Sequence, residues 1–291
     1  MDLRQLSYVV AVAELSSFTR AAERCFVVQS ALSHQVARLE SELGARLFHR
    51  TSRQVRLTAA GEAFLPAARQ CLAAAERARS EVAAATGEVR GRLSVGVIPT
   101  VCAVDVPAAL RFFHDRHPQV RITLVMGGSD DLVDKVATGV LDVAFLGLPI
   151  ERVVTEVAHH LLAHDNHVVV MSATHPLAES EELSLHDLAG QVFVDFPPGT
   201  PGRAQVDQTF AAAGLSRDVA FDVTDAHLMT GLIGQELGIG MLPSAYAQQL
   251  TGVVTIPVRD AARRAEHLIW SSDGPSPAAA AFLDQVRTAA A

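Results

Sequence analysis

Gln29, Ser30, Ser33, His34 and Arg38 fall on one side of a helical period. The other side of that period carries Leu32, Val36, Leu39 and Leu43. A glutamine pairs with adenine through two hydrogen bonds, and a serine is small enough to approach a phosphate or a base edge. A helix start also favours a phosphate. These residue types at this spacing suit docking on a nucleic-acid groove better than catalysis. Downstream, Arg50, Arg53 and Arg56 flank a polar turn at Ser52-Arg53, and arginine at a hairpin tip suits a narrow, electronegative minor groove.

A second set of polar residues follows predicted strands further along. The loop 98–102 offers the Thr100 hydroxyl and the backbone at Val101. The stretch 126–131 offers Gly128 and Ser129, with Ser129 placed to cap a helix. The stretch 196–203 offers Thr200, Pro201, Gly202 and Arg203, and 224–227 offers Ala226. Loops at the carboxyl ends of strands are where ligands bind in α/β sheets. Several helix starts and Arg203 together point to a small anion.

Two further signals are weaker. His159, His160, His164, Asp165 and His167 crowd one stretch, but no regular three- or four-residue spacing on one helix supports a metal, so a solvated crossing between lobes is expected. Cys102 lies in a proposed ligand loop without a nearby cysteine to resolve an oxidised thiol, so burial as a small hydrophobe is expected. No phosphate loop, nucleophile elbow or dinucleotide fingerprint is present. No enzyme activity, cofactor or metal is expected.

The elements that must position these residues can be read from the spacing of apolar positions. Leu3, Leu6, Val10 and Ala13 predict a first helix; Phe18, Ala21, Ala22 and Cys25 predict a second, capped by Ser17. Phe26, Val27 and Val28 leave room only for a turn before the third helix, which Gly44 ends. Two helices joined so tightly form a helix-turn-helix. The alternation in 47–58 adds a hairpin, giving a winged helix. Thr58 caps a long helix to about Ala85, with Pro66 inside it. Its stripe of Leu65, Ala68, Leu72, Ala75 and Val82 favours pairing between chains.

The order Phe18-Thr-Arg-Ala-Ala-Glu, Gln29-Ser-Ala-Leu-Ser, Leu39-Glu, Leu43-Gly-Ala-Arg-Leu-Phe, Arg50 and Leu57-Thr-Ala-Ala-Gly resembles the N-terminal domain of LysR-type transcriptional regulators. The resemblance is dense over the first 65 residues or so and looser beyond. It implies that Gln29, Ser33 and Arg53 face double-stranded DNA. It also implies that Thr100, Gly128, Thr200, Pro201 and Ala226 line an effector cleft, and that the long helix makes dimers, with tetramers built from them. Two residues depart from the family pattern: His34 stands where arginine is common, and Val28 where serine or threonine often caps the recognition helix.

Charge divides the same way. The chain carries a net charge of -8, yet residues 1–57 hold eight arginines against five acids, while residues 91–291 hold twelve basic and 23 acidic residues. A basic head on an acidic body suits one polyanion-binding module joined to a module with another task. Hydrophobic residues make up 49% of the chain, enough for buried cores in both. No apolar stretch is long enough to span a bilayer and no secretion signal opens the chain, so a cytoplasmic location is expected.

The expected fold is α/β: an N-terminal winged helix-turn-helix over 1–58, a linker helix over 59–90, and a two-lobed effector domain over 91–291 that resembles a periplasmic solute-binding protein. Strands and helices alternate in that domain, which predicts parallel-rich sheets. The expected function is a ligand-responsive regulator that binds promoter DNA and senses a small molecule between the lobes. A solute-binding protein without DNA-dependent regulation is the alternative, and the basic N-terminus counts against it.

Overall fold

The computed structural model describes residues 1–50, 55–85 and 88–289. Two compact units emerge: Met1–Gly91 with Thr138–Val140, and Arg92–Ala137 with Leu141–Ala291.

In the first unit, helix α1 (Leu3–Leu15) begins with a capping box. Asp2 accepts from the Gln5 amide at 2.8 Å, while the Gln5 side chain accepts from the Asp2 amide at 3.0 Å. Helix α2 (Phe18–Arg24) is capped by Ser17, which accepts from the Arg20 amide. Helix α3 (Gln29–Leu43) ends at Gly44, whose φ of 67° is the left-handed conformation that glycine adopts without strain. Leu32, Val36 and Leu39 are buried against Val9, Val12, Ala21 and Ala22. Leu43, expected on the buried side, is 42% exposed; it is the last residue of the helix, so the buried stripe stops one turn earlier.

Strands β1 (Phe48–Arg50) and β2 (Val55–Leu57) pair antiparallel as the wing. Glu40 fixes its root by accepting from the amides of Leu47 at 2.8 Å and Phe48 at 3.2 Å. Helix α4 (Ala59–Ala85) follows, with Pro66 in its interior. The Thr58 hydroxyl accepts from the Gly61 amide at 3.0 Å and donates to the Arg46 carbonyl at 2.6 Å, so one side chain caps the helix and ties it to the wing root. Gly61 is required there: a Cβ would lie 2.2 Å from the Leu47 carbonyl oxygen.

The second unit has two lobes. Strands β3 (Gly91–Val97), β4 (Val120–Met126) and β5 (Val143–Pro149) build the first, with helices α5 (Val106–Arg116) and α6 (Ser129–Ala137). Strand β6 (Ala158–Met171) then runs from one lobe to the other. The second lobe holds α7 (Leu185–Leu188), β7 (Val192–Asp195), α8 (Pro201–Ala212), β8 (Asp218–Asp222), α9 (Ala226–Gly234), β9 (Gly240–Pro243), α10 (Ser244–Ala247) and β10 (Val254–Pro257). Strand β11 (Arg263–Trp270) returns to the first lobe, and α11 (Pro277–Ala289) closes the chain. The first lobe buries Leu132, Val136, Leu146 and Ile269; the second buries Phe193, Phe210 and Met241 in one cluster and Met229, Ile233 and Leu242 in another.

The main sheet has the order β10-β6-β11-β5-β3-β4, with β9 also on β6, and β7 pairs β8 separately. The expectation of parallel-rich sheets needs correction. β3–β5 and β7–β8 are parallel, but β6 and β11 pair antiparallel along their length, and β9 and β10 are antiparallel to β6. β10 and β11 lie end to end along β6 as the chain returns from the second lobe to the first, and a chain that retraces its outward strand runs antiparallel to it. The histidine-rich stretch is part of a strand, on which His159 and His164 are exposed, His160 is half-buried and His167 is buried. Its first half pairs β11 and its second half pairs β9 and β10, so it does cross between lobes, as part of the sheet.

Candidate nucleic-acid interface and ligand cleft

On α3, the side opposite Leu32, Val36 and Leu39 presents Gln29, Ser30, His34 and Arg38 to solvent, with Ser33 half-buried at its margin. Arg38 forms an exposed ion pair with Glu42 at 3.3 Å, one turn on, which costs little to exchange for a phosphate. Val28 occupies the N-cap position and makes no side-chain cap bond. The first amides of α3 are thus left to the backbone or to an incoming acceptor. Arg50 ends β1, but its side chain and all of Arg53 lie outside the described residues.

The turn before α3 has a defined geometry. The Phe26 amide donates to Glu23 O at 3.1 Å and the Val27 amide to Ala22 O at 3.0 Å. This is the paired closure of a Schellman motif, with Val27 packed back on the core. Phe26 takes the left-handed position, φ 55°, where glycine or asparagine fits with less strain.

In the second unit, a cavity of about 460 Å³ opens between the lobes. Thr100, Gly128, Ser129 and Arg264 line it on one side, and Phe196, Pro197, Thr200, Pro201, Gly202 and Asp225 on the other. Six of the eight ligand residues expected from sequence therefore meet at one cavity. The other two do not reach it. Val101 packs on the first-lobe core, and Ala226, 3% exposed, is buried at the start of α9 behind Asp225.

The hydroxyls are less free than the sequence suggests. Ser129 is the first residue of α6 and not its cap; its hydroxyl donates to Gly147 O at 3.0 Å and accepts from Gly147 N at 3.2 Å, stapling α6 to β5. Thr200 stands at the N-cap of α8 but donates to Pro197 O at 2.9 Å, so no side chain caps α8 at its cleft end. Asp225 caps α9, accepting from the Leu228 amide at 2.7 Å.

Arg203 is not the cation of the cleft. It pairs with Asp207 at 2.9 Å and Asp222 at 3.1 Å and donates to Phe196 O at 3.1 Å. Arg217 completes that cluster, pairing with Asp195 at 2.7 Å and with its guanidinium 5.0 Å from the Phe193 ring centre and 5.5 Å from that of Phe210. Burial pushes the Asp195 carboxyl up, against the pull of Arg217. The whole group buttresses β7 and α8.

The cleft cation is Arg264, which the sequence reading missed. Its Nη1 donates to the Thr100 hydroxyl at 2.8 Å and its Nη2 to the Thr100 carbonyl at 2.9 Å. Nη2 also contacts Glu266, while the buried Nε has no partner among the described residues. Glu266 in turn accepts from the amides of Cys102 at 3.2 Å and Ala103 at 3.0 Å and from the Cys102 thiol at 2.9 Å. Burial and the Glu266 carboxylate push the Cys102 thiol up to about 12, which disfavours the reactive thiolate. Gly147 leaves room for Arg264: a Cβ would lie 2.8 Å from Nη1.

The histidines of β6 separate. His159 and His267 pack edge to face at 5.5 Å, and burial together with His159 and His164 pushes His267 down. Among the described residues no group of three histidine, cysteine or acidic side chains is arranged to hold a metal. No described helix is long and apolar enough to cross a membrane.

Residues 86–291 match the LysR substrate binding domain, and residues 3–62 match the bacterial regulatory helix-turn-helix of the lysR family. The chain belongs to the LysR family. It is a ligand-responsive, DNA-binding transcriptional regulator. The regulator is 37% identical to the HTH-type transcriptional regulator ShiR of Corynebacterium glutamicum, over 83% of this chain and 82% of that one. A full-length variant of OxyR from Pseudomonas aeruginosa matches with a TM-score of 0.75 at 27% identity, covering 99% of this chain and 95% of that one. Full-length CbnR complexed with its target DNA matches with a TM-score of 0.69 at 27% identity, covering all of both chains.

Proposed function

We propose that the regulator docks α3 in the major groove of promoter DNA, with Gln29, Ser30, Ser33 and His34 near base edges and Arg38, Arg50 and Arg53 on the backbone or the adjacent minor groove. It does so as a dimer paired through α4, and tetramers form from such dimers. A small organic anion held between the lobes controls the paired heads. Ligand control needs differential affinity for two conformations, and a cavity lined by both lobes provides it through closure.

The observation that carries the anion is the convergence on one cavity of the Arg264 guanidinium and the uncapped start of α8. Ile98, Pro99, Met126, Phe196 and Pro197 supply an apolar wall, so the anion carries a hydrocarbon body. Glu266 balances Arg264, which favours one carboxylate over a multiply charged phosphate ester.

Thermal unfolding of the full chain with paired probes tests this reading. Benzoate, cyclohexanecarboxylate and succinate would each be set against the corresponding amide. Stabilisation is expected from at least one carboxylate and not from its amide, growing with concentration as mass action requires. Stabilisation by amides alone would overturn the anion assignment.

A further inference from the structure

Phe26 is 95% exposed and Val28 is 68% exposed, although both flank a well-packed core. Phe26 also holds the left-handed position of the Schellman turn, a place where an exposed aromatic gains nothing from the fold. Val28 holds an N-cap position without supplying a cap. Two neighbouring positions therefore carry apolar residues where local stability asks for asparagine or glycine and for serine or threonine. Both stand within three residues before Gln29, at the N-terminal end of α3, the end that a helix-turn-helix places in the groove.

We propose that Phe26 and Val28 form an apolar patch that reads thymine methyl groups in the major groove. The inference rests on the DNA-docking reading of α3 and adds to it a base preference. The occupant follows from continuity with that interface, because the exposed Gln29 and Ser30 continue the same edge. The thymine methyl is the one apolar group that a base edge offers in the major groove, and apolar side chains recognise it by contact. Aliphatic and aromatic groups here leave phosphate contacts to the neighbouring polar residues and arginines. The consequence is a site in which one or two thymines at fixed positions are selected by their methyl groups.

The test uses the full-length chain and duplex sites enriched by it from a random pool. Each thymine is replaced in turn by deoxyuracil, which removes only the methyl. At one or two positions per half-site the substitution should weaken binding about three- to fivefold, the value of one buried methyl. The double variant Phe26→Asn/Val28→Thr should lose that discrimination. It should unfold at the same temperature as the parent or higher, because asparagine suits the left-handed position and threonine can cap α3. A uracil series without effect on the parent, or a full uracil penalty kept by the variant, would overturn the proposal. So would a variant that changes only self-association in sedimentation, since the patch would then face protein. Salt-sensitive binding to any duplex reports the underlying DNA reading separately: its absence would remove both, and its presence without a uracil effect would remove this one alone.

Discussion

Arg264 and Thr100 are joined twice, from Nη1 to the hydroxyl at 2.8 Å and from Nη2 to the carbonyl at 2.9 Å. The bond ties β11 to the loop after β3 at the edge of the cleft, and Glu266 holds the same loop two residues on. Both charged side chains are almost fully buried. Removing one partner of such a pair strands the other charge, whereas removing both does not. Arg264→Leu should therefore destabilise the second unit by about 3–5 kcal/mol, and Arg264→Leu/Glu266→Leu by clearly less. Denaturant unfolding of both variants and of Glu266→Leu closes the cycle. Single effects that simply add would show that the two residues act independently.

Gly61 shows a different kind of constraint. It is helical, so alanine there should gain about 1 kcal/mol of helix propensity. Against that gain stands the Leu47 carbonyl oxygen 2.2 Å from the new Cβ, an atom already accepting from the Thr58 amide at 2.9 Å. Backbone must move, and overpacking of this kind costs about 1–3 kcal/mol. Gly61→Ala should lower the unfolding temperature of the first unit. A rise would mean that α4 can shift away from the wing root without cost.

How much of this was legible follows from where each signal is local. Ser17, Gly44 and Thr58 announce helix ends because capping is chemistry within a few residues, and each stands at the helix end expected of it. Thr100, Gly128, Thr200 and Gly202 could be placed near a cavity because they follow strands. Arg264 could not, because the apolar run that marks the last strand begins only after His267, while the strand itself begins four residues earlier at Arg263. Strand neighbours two apart share a face, so an arginine and a glutamate at 264 and 266 would have signalled a pair had the strand been extended. The histidines of β6 hid a strand for another reason: its alternation of half-buried and exposed positions is carried by polar side chains, which hydropathy does not register. Arg203 misled because two of the three aspartates that neutralise it, Asp195 on β7 and Asp222 on β8, lie on other elements, and only Asp207, one turn on in α8, is a local signal.

Helix α4 carries its apolar stripe largely unburied. Ala68 is buried, Leu65 and Leu72 are half-exposed, and Val82 is 70% exposed. A second copy of the helix would cover them. A charge at the seam of such a pair meets its own copy and must be desolvated. Leu72→Asp should weaken self-association at least tenfold, about 1.4 kcal/mol, with the fold retained by circular dichroism. Sedimentation equilibrium against the parent decides it. Unchanged association would place the contact between chains elsewhere.

His167 makes the second unit sensitive to acid. Its Nδ1 lies 3.0 Å from the Ala262 carbonyl, which can only accept, so the neutral ring carries its proton there. Burial pushes its titration down to about 4, from the ordinary histidine value near 6.5, and Arg264 and Arg217 push the same way, while the Ala262 bond and Asp165 oppose them. The folded chain therefore resists a proton that the unfolded chain accepts readily. Above the unfolded value neither state binds it and His167 adds no pH dependence. As pH falls through that value towards 4, the unfolded state gains the proton first and stability drops, by roughly 3 kcal/mol in all. Burial pushes Asp142 and Asp195 up, which opposes this loss over part of the same window, so the parent alone does not isolate the histidine. Comparison with His167→Gln does, because the carboxylates are common to both. Urea unfolding at pH 7.5, 5.5 and 4.5 should show the parent losing stability relative to the glutamine variant, most steeply between the last two. Parallel curves would mean that His167 is solvated, and that the junction of β6 with the loop before β11 is open to water.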